Sequence, residues 1–96
     1  MLLLSLLACL KYEEGRALEG ELACELRAAC DALEEVGYTD VADCIADATN
    51  QDWADCEDYH EAQLQDCLDA WTAAVETSDC TLTASPPAVC AQVCPV

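Results

Sequence analysis

The residues of this chain with the most chemistry open to them are its nine cysteines: Cys9, Cys24, Cys30, Cys44, Cys56, Cys67, Cys80, Cys90 and Cys94. A thiol can be a nucleophile, a metal ligand or half of a disulfide, and spacing decides among the three. No CxxC pair occurs, so the paired knuckles of structural zinc sites are absent. A nucleophilic thiol or hydroxyl needs a base and an orienting group. The one histidine, His60, stands among Glu57, Asp58 and Glu61, and neither Ser78 nor Ser85 has a base close in sequence. His60 reads as an exposed residue of a helical first turn, the serines as turn and cap residues, and no enzyme is expected. The acids Asp52, Asp55, Glu57 and Asp58 could offer oxygens to a divalent cation, yet EF-hand spacing and its mid-loop glycine are both missing. An acid-rich helix start is favoured by the macrodipole alone. A cation-binding module therefore stays as an alternative only, and no cofactor is expected.

Disulfides are the remaining role for the thiols. Nine cysteines in 96 residues is the composition of a disulfide scaffold from an oxidising compartment. The rest of the composition shows why staples are needed. The chain has seventeen Ala and no Phe, and a core built largely on Ala buries little area in a domain already small for burial to stabilise. Twenty acids face only Lys11, Arg16 and Arg27, a formal charge of −17. Such a chain is soluble but repels itself when compact. The same imbalance excludes nucleic acid as a partner, since phosphate binding rests on Lys and Arg, and it disfavours direct electrostatic binding to anionic lipid.

An odd number of cysteines leaves one over if the rest pair. Met1 to Ala8 is a short apolar run ending in a small residue, the form of a signal-peptide core and cleavage site, and too short to span a bilayer. The stretch Leu6-Leu7-Ala8-Cys9 resembles the lipobox of bacterial lipoproteins: an aliphatic residue, a tolerant position, a small residue, then cysteine. The resemblance implies that Cys9 is acylated and becomes the mature N-terminus, leaving eight cysteines for four bridges. Leu10 rather than Asp behind it favours the outer membrane by the same analogy. No basic residue precedes the leucines, so the true start is expected upstream or the sequence is a fragment. The expected organisation is thus a lipoprotein-type signal peptide over 1–8, the lipidated Cys9 and a tether over 9–16, and a disulfide-rich helical domain over 17–96.

Hydrophobic periodicity supplies the elements. Leu18, Leu22, Leu26, Ala29, Leu33 and Val36 mark one amphipathic helix ending at Gly37, regular only after Gly20. Cys24 lies well off the Leu26 direction and should meet a different element from Cys30. A second helix is predicted over 40–48 behind Thr39 as N-cap, with Val41, Cys44, Ile45 and Ala48 on one face. A polar loop over 49–58 carries Trp53 and Cys56. A third helix is predicted over 59–76, facing inward through Leu64, Cys67, Leu68, Trp71 and Val75. A last short helix follows Ser85 as cap and the proline pair, with Cys90, Val93 and Cys94 on its face. No stretch alternates with period two, so the expected fold is all-α: a small disulfide-stapled bundle of three to four short, antiparallel helices. Eight cysteines permit 105 pairings. Cys30 and Cys44 come level across the first helical hairpin, and Cys90 and Cys94, side by side on one short helix, should staple it to two other elements; the expected set is Cys30–Cys44, Cys24–Cys56, Cys67–Cys94 and Cys80–Cys90.

Over nearly its whole mature length the chain resembles a loose class of small, Ala- and acid-rich, cysteine-rich lipoproteins of deltaproteobacteria, myxobacteria in particular. The resembling features are Cys24-x5-Cys30, Asp43-Cys44, Asp66-Cys67-Leu68-Asp69-Ala70 and Pro87-x2-Cys90-x3-Cys94. The class implies location and fold and carries no known activity. The function expected is therefore a non-enzymatic, lipid-anchored cell-envelope module, held to the membrane by acyl chains on Cys9 and interacting with another envelope protein. Trp53 is the candidate contact residue, since aromatic anchors dominate interfaces, unless it caps the helical core instead. The alternatives are a secreted, non-lipidated effector-like protein and the acidic cation-binding module.

Overall fold

The computed structural model describes residues 10–95; the predicted signal peptide and Cys9 lie outside the described residues. Three α-helices, α1 (Tyr12–Ala29), α2 (Val41–Thr49) and α3 (Glu61–Thr77), are joined and followed by 3-10 turns at Glu34–Val36, Cys80–Thr83 and Ala88–Gln92. The described residues contain no strand, and the fold is the all-α, disulfide-stapled bundle that the periodicity implies.

α1 is the central element, packed along both α2 and α3 and meeting the turn at Cys80–Thr83. It starts earlier than the periodicity indicates. Leu10 is buried at 4% exposure; its N–H donates to Glu61 Oε2 at 2.9 Å and its carbonyl accepts from the Tyr59 hydroxyl at 2.6 Å. Residues 10–16 are therefore no tether. Leu10 is a core residue, and the helix begins two positions later with Glu13 and Glu14 in its first turn, where the macrodipole favours acids.

α1 also ends earlier. The Ala32 N–H donates to the Arg27 carbonyl and the Asp31 N–H to the Ala28 carbonyl, with Asp31 left-handed at φ 54°. This is a Schellman closure, and it turns the chain six residues before Gly37. Gly37 closes a second one: the Tyr38 N–H donates to the Leu33 carbonyl and the Gly37 N–H to the Glu34 carbonyl. The predicted stripe is broken accordingly. Leu26 is fully buried, whereas Leu18 and Val36 are 37% and 45% exposed, because the side of α1 that meets α3 runs through Gly15, Leu22, Leu26 and Cys30 instead.

α2 obeys its predicted face: Cys44 is buried, with Val41, Ile45 and Ala48 half-buried. Its N-cap is Asp40 rather than Thr39, the carboxylate accepting from the Asp43 N–H at 2.8 Å. α2 runs antiparallel to α1, with Cys24 bonded to Cys44 and Gly20 against Ala48. The polar stretch after α2 returns the chain to the start of α1, so α3 runs parallel to α1: Gly15 lies on Leu64 at one end, and Cys30 joins Cys80 at the other. Leu64, Cys67, Leu68 and Trp71 of α3 are buried as predicted, with Ala74 taking the place expected for Val75. Ser78, left-handed at φ 52°, caps the helix. The last segment is a 3-10 turn capped by Pro87, not a helix capped by Ser85; it seats Cys90 and Val93 in the core.

The helices approach so closely that two positions on α1 admit no side chain. A Cβ on Gly15 would stand 2.1 Å from Leu64 Cδ2, and one on Gly20 would stand 2.6 Å from Ala48 Cβ. The helix is therefore continuous through Gly20, which is there for the approach of α2. Gly15→Ala sets a propensity gain of about 1 kcal/mol against overpacking on a fully buried Leu64, about 1–3 kcal/mol. We expect a net loss near 1 kcal/mol and a Tm lower by several degrees in a circular-dichroism melt; a raised Tm would contradict this packing.

Candidate functional site

The cysteines are the first residues to place. All eight from Cys24 to Cys94 pair among themselves: Cys24–Cys44, Cys30–Cys80, Cys56–Cys94 and Cys67–Cys90. None of the four expected pairings occurs. The level of Cys30 against Cys44 assumed a helix running to residue 36; with α1 closed at Ala29, Cys24 comes level with Cys44, while Cys30 caps α1 beside the end of α3. Cys90 and Cys94 do reach two different elements, but with partners other than those expected. The bridges close loops of 20, 50, 38 and 23 residues, each worth roughly 3–4 kcal/mol of unfolded-chain entropy in the loop-closure account.

A second constellation was not visible in the sequence. Arg16 projects from the first half of α1 into an aromatic nest, its guanidinium 5.3 Å from the Tyr12 ring centre and 5.4 Å from that of Trp53. The Tyr12 ring in turn meets Trp53 and Tyr59 edge-on, at 6.2 and 5.5 Å. Arg16 pairs with Glu19 at 2.6 Å, and the other oxygen of Glu19 accepts from Trp71 Nε1 at 3.2 Å. The side chains of Arg16 and Glu19 are only 13% and 15% exposed, so this pair is screened little by solvent. Burial works against the Arg16 charge, and contacts with Tyr12 and Glu19 outweigh it, holding the guanidinium above its ordinary pKa. Arg16 Nε and Trp53 Nε1 are buried without an acceptor, and the guanidinium is held at the two rings by cation–π attraction. Arg16, Arg27, Trp53, Trp71, Gly20 and Pro86 line an open cavity of about 330 Å³.

Trp53, the expected contact residue, is thus half-buried and engaged with Tyr12 and Arg16. Of these rings it is Tyr12 and Tyr59 that pack on the buried core. The only sequence signal was the coincidence of an arginine and a tyrosine four residues apart at the start of α1; the loop that brings Trp53 to them carries no periodicity.

The remaining candidates are dispersed. Asp52, Asp55, Glu57 and Asp58 are all exposed, and their oxygens are not gathered. Among the described residues the one set of three possible ligand atoms within 4.8 Å is Glu19, Cys67 and Cys90, whose two sulfurs form a disulfide. His60 caps α3, its N–H donating to the Val93 carbonyl at 2.9 Å and its Nε2 lying 3.1 Å from Asp58. No hydroxyl of the described residues donates to it. Burial and the charge of Glu61 raise the Tyr59 hydroxyl above its usual pKa, which suits a phenol that donates to the Leu10 carbonyl. The Tyr38 hydroxyl is raised by its hydrogen bond to Asp47.

The geometry defines a disulfide-stapled helical domain with a half-buried Arg16–Glu19 pair beside its aromatic rings. Four bridges belong to an oxidising, exported compartment, and no helix of the described residues is long and apolar enough to cross a membrane. Compared with known proteins, the chain matches no family model, no curated protein and no solved structure.

If the nest around Arg16 holds Trp53 in place, Arg16→Ala should cost about 2–3 kcal/mol, from two cation–π contacts and an acid left without its partner. Arg16→Lys should restore it only in part, since an ammonium keeps the cation but cannot meet both rings and Glu19 at once as the broad guanidinium does. Urea denaturation followed by tryptophan fluorescence reads both; full rescue by lysine would refute the role of the guanidinium.

Proposed function

We propose that this chain is a non-enzymatic, lipid-anchored protein of the cell envelope, a disulfide-stabilised acidic module that works by contact with another envelope component. One observation carries the reading: the eight cysteines from Cys24 to Cys94 pair among themselves, which leaves none of them for the ninth, Cys9. That ninth cysteine is the one behind Leu6-Leu7-Ala8, where acylation would consume the thiol. Supporting it, the bridges fit export, and the single histidine is engaged at the cap of α3 with no nucleophile beside it.

Leu10 adds a consequence for how such an anchor would hold the domain. Because Leu10 is buried and bonded to Tyr59 and Glu61, acyl chains on Cys9 would draw the end of the bundle that carries the start of α1 and the start of α3 up to the bilayer. No spacer would lie between them. The outer membrane is the site favoured by Leu10 as the second mature residue.

Intact mass spectrometry tests the reading on protein expressed with a complete signal in a lipoprotein-competent bacterium. The expected mass begins at Cys9, carries diacylglycerol and acyl additions, and is eight hydrogens short for four bridges. A mature protein without lipid would overturn the anchor and bring forward a secreted, effector-like protein.

A further inference from the structure

A groove of about 240 Å³ opens between α1 and α3. Its apolar lining is graded in depth: Leu68 is buried at 6% exposure, Leu22 is half-buried against the core, and Leu18 is 37% exposed. Beside them stand Glu21 and Glu25 of α1 and Asp69 of α3. None of the three basic residues of the chain lines this groove. Leu18 is one of only two large apolar side chains exposed among the described residues, and it is the one flanked by further leucines.

Apolar side chains in a two-helix groove with acids along both edges are the complement of one kind of partner. We propose that this groove docks a basic amphipathic helix, whose apolar face seats on Leu18, Leu22 and Leu68 while Lys or Arg on its flanks meets Glu21, Glu25 and Asp69. Charge selects this occupant over a second copy of the chain. Two copies would bring the same three acids face to face, on bodies of charge −17 each, and like charges across an interface oppose association. The proposal rests on the reading of the chain as an interaction module and names the chemistry of its partner; it is independent of the acyl anchor.

The test uses the full-length, oxidised chain and a fluorescein-labelled model peptide of repeated Leu-Lys-Lys-Leu-Leu-Lys-Leu heptads, with fluorescence anisotropy as the readout. Three single variants accompany the wild type: Leu18→Gln, which removes apolar area without adding charge, Glu25→Gln in the groove, and Glu34→Gln, an exposed acid outside it. Circular dichroism confirms that each is folded. We expect Leu18→Gln to weaken binding about tenfold, the scale of one buried leucine, with Glu25→Gln clearly weaker and Glu34→Gln close to wild type. Equal effects of the two Glu variants with no effect of Leu18→Gln would mean unspecific charge attraction, and would overturn the groove. So would failure of the peptide to bind at all. Neither result bears on the mass at Cys9, so the groove and the anchor fail separately.

Discussion

Twenty carboxylates on a chain with three cationic side chains repel one another most when the chain is compact, and every other feature of this fold is arranged under that repulsion. The interior that opposes it is thin: Leu10, Leu26, Leu64, Leu68, Trp71 and Val93 are its main apolar bodies, with alanine and cysteine filling the rest. The four disulfides act from the other side, by denying the unfolded chain its freedom. They are spread so that none of the three α-helices is held by packing alone. α1 is bonded to α2 and to the turn after α3, α3 is bonded to the last turn, and the polar loop is bonded to Cys94. No charged side chain of the described residues is fully buried, as a small core of this kind requires.

A short central helix with two neighbours needs close approach to gain contact area, and α1 supplies it with glycines. Gly15 admits Leu64 and Gly20 admits Ala48, so leucine and alanine side chains do the work that larger residues do in richer cores. Near the start of α1 a half-buried arginine adds a polar tie to this packing. Arg16 binds Tyr12, Trp53 and Glu19 into a unit, and Glu19 passes the linkage on to Trp71. That same unit engages Trp53 with Tyr12 and Arg16, while Leu18 of the same helix stays exposed.

How much of this could be read from the sequence depended on how local the determining physics was. The inward faces of α2 and α3 follow from spacing, because each buries one stripe of apolar residues and shows it directly in its periodicity. The face of α1 does not, since it packs on two elements and its true contact lines run through glycines, which carry no hydrophobic signal. Its end was hidden for a related reason: Asp31 takes a left-handed conformation that glycine ordinarily announces, while the glycine that is present closes the following turn. That displacement of six residues misdirected the pairing of Cys30, and the rest of the connectivity with it. Leu10 read as part of a tether because its partners, Tyr59 and Glu61, lie about fifty residues away. The role of the cysteines as a class was legible from number and compartment, and the Arg16 nest was not.

The account depends most on which sulfurs are joined, and mapping the disulfides of the unreduced protein tests that directly. Digestion at Asp and Glu separates every cysteine from Cys24 to Cys80, while Cys80, Cys90 and Cys94 stay on one peptide that contains no acid after Asp79; tandem mass spectrometry must then resolve those three. The structure requires Cys24–Cys44, Cys30–Cys80, Cys56–Cys94 and Cys67–Cys90, with Cys9 in none of them. A joined Cys30–Cys44 would contradict the end of α1, and a bridge from Cys9 to any of the eight would contradict the pairing on which the proposed anchor rests.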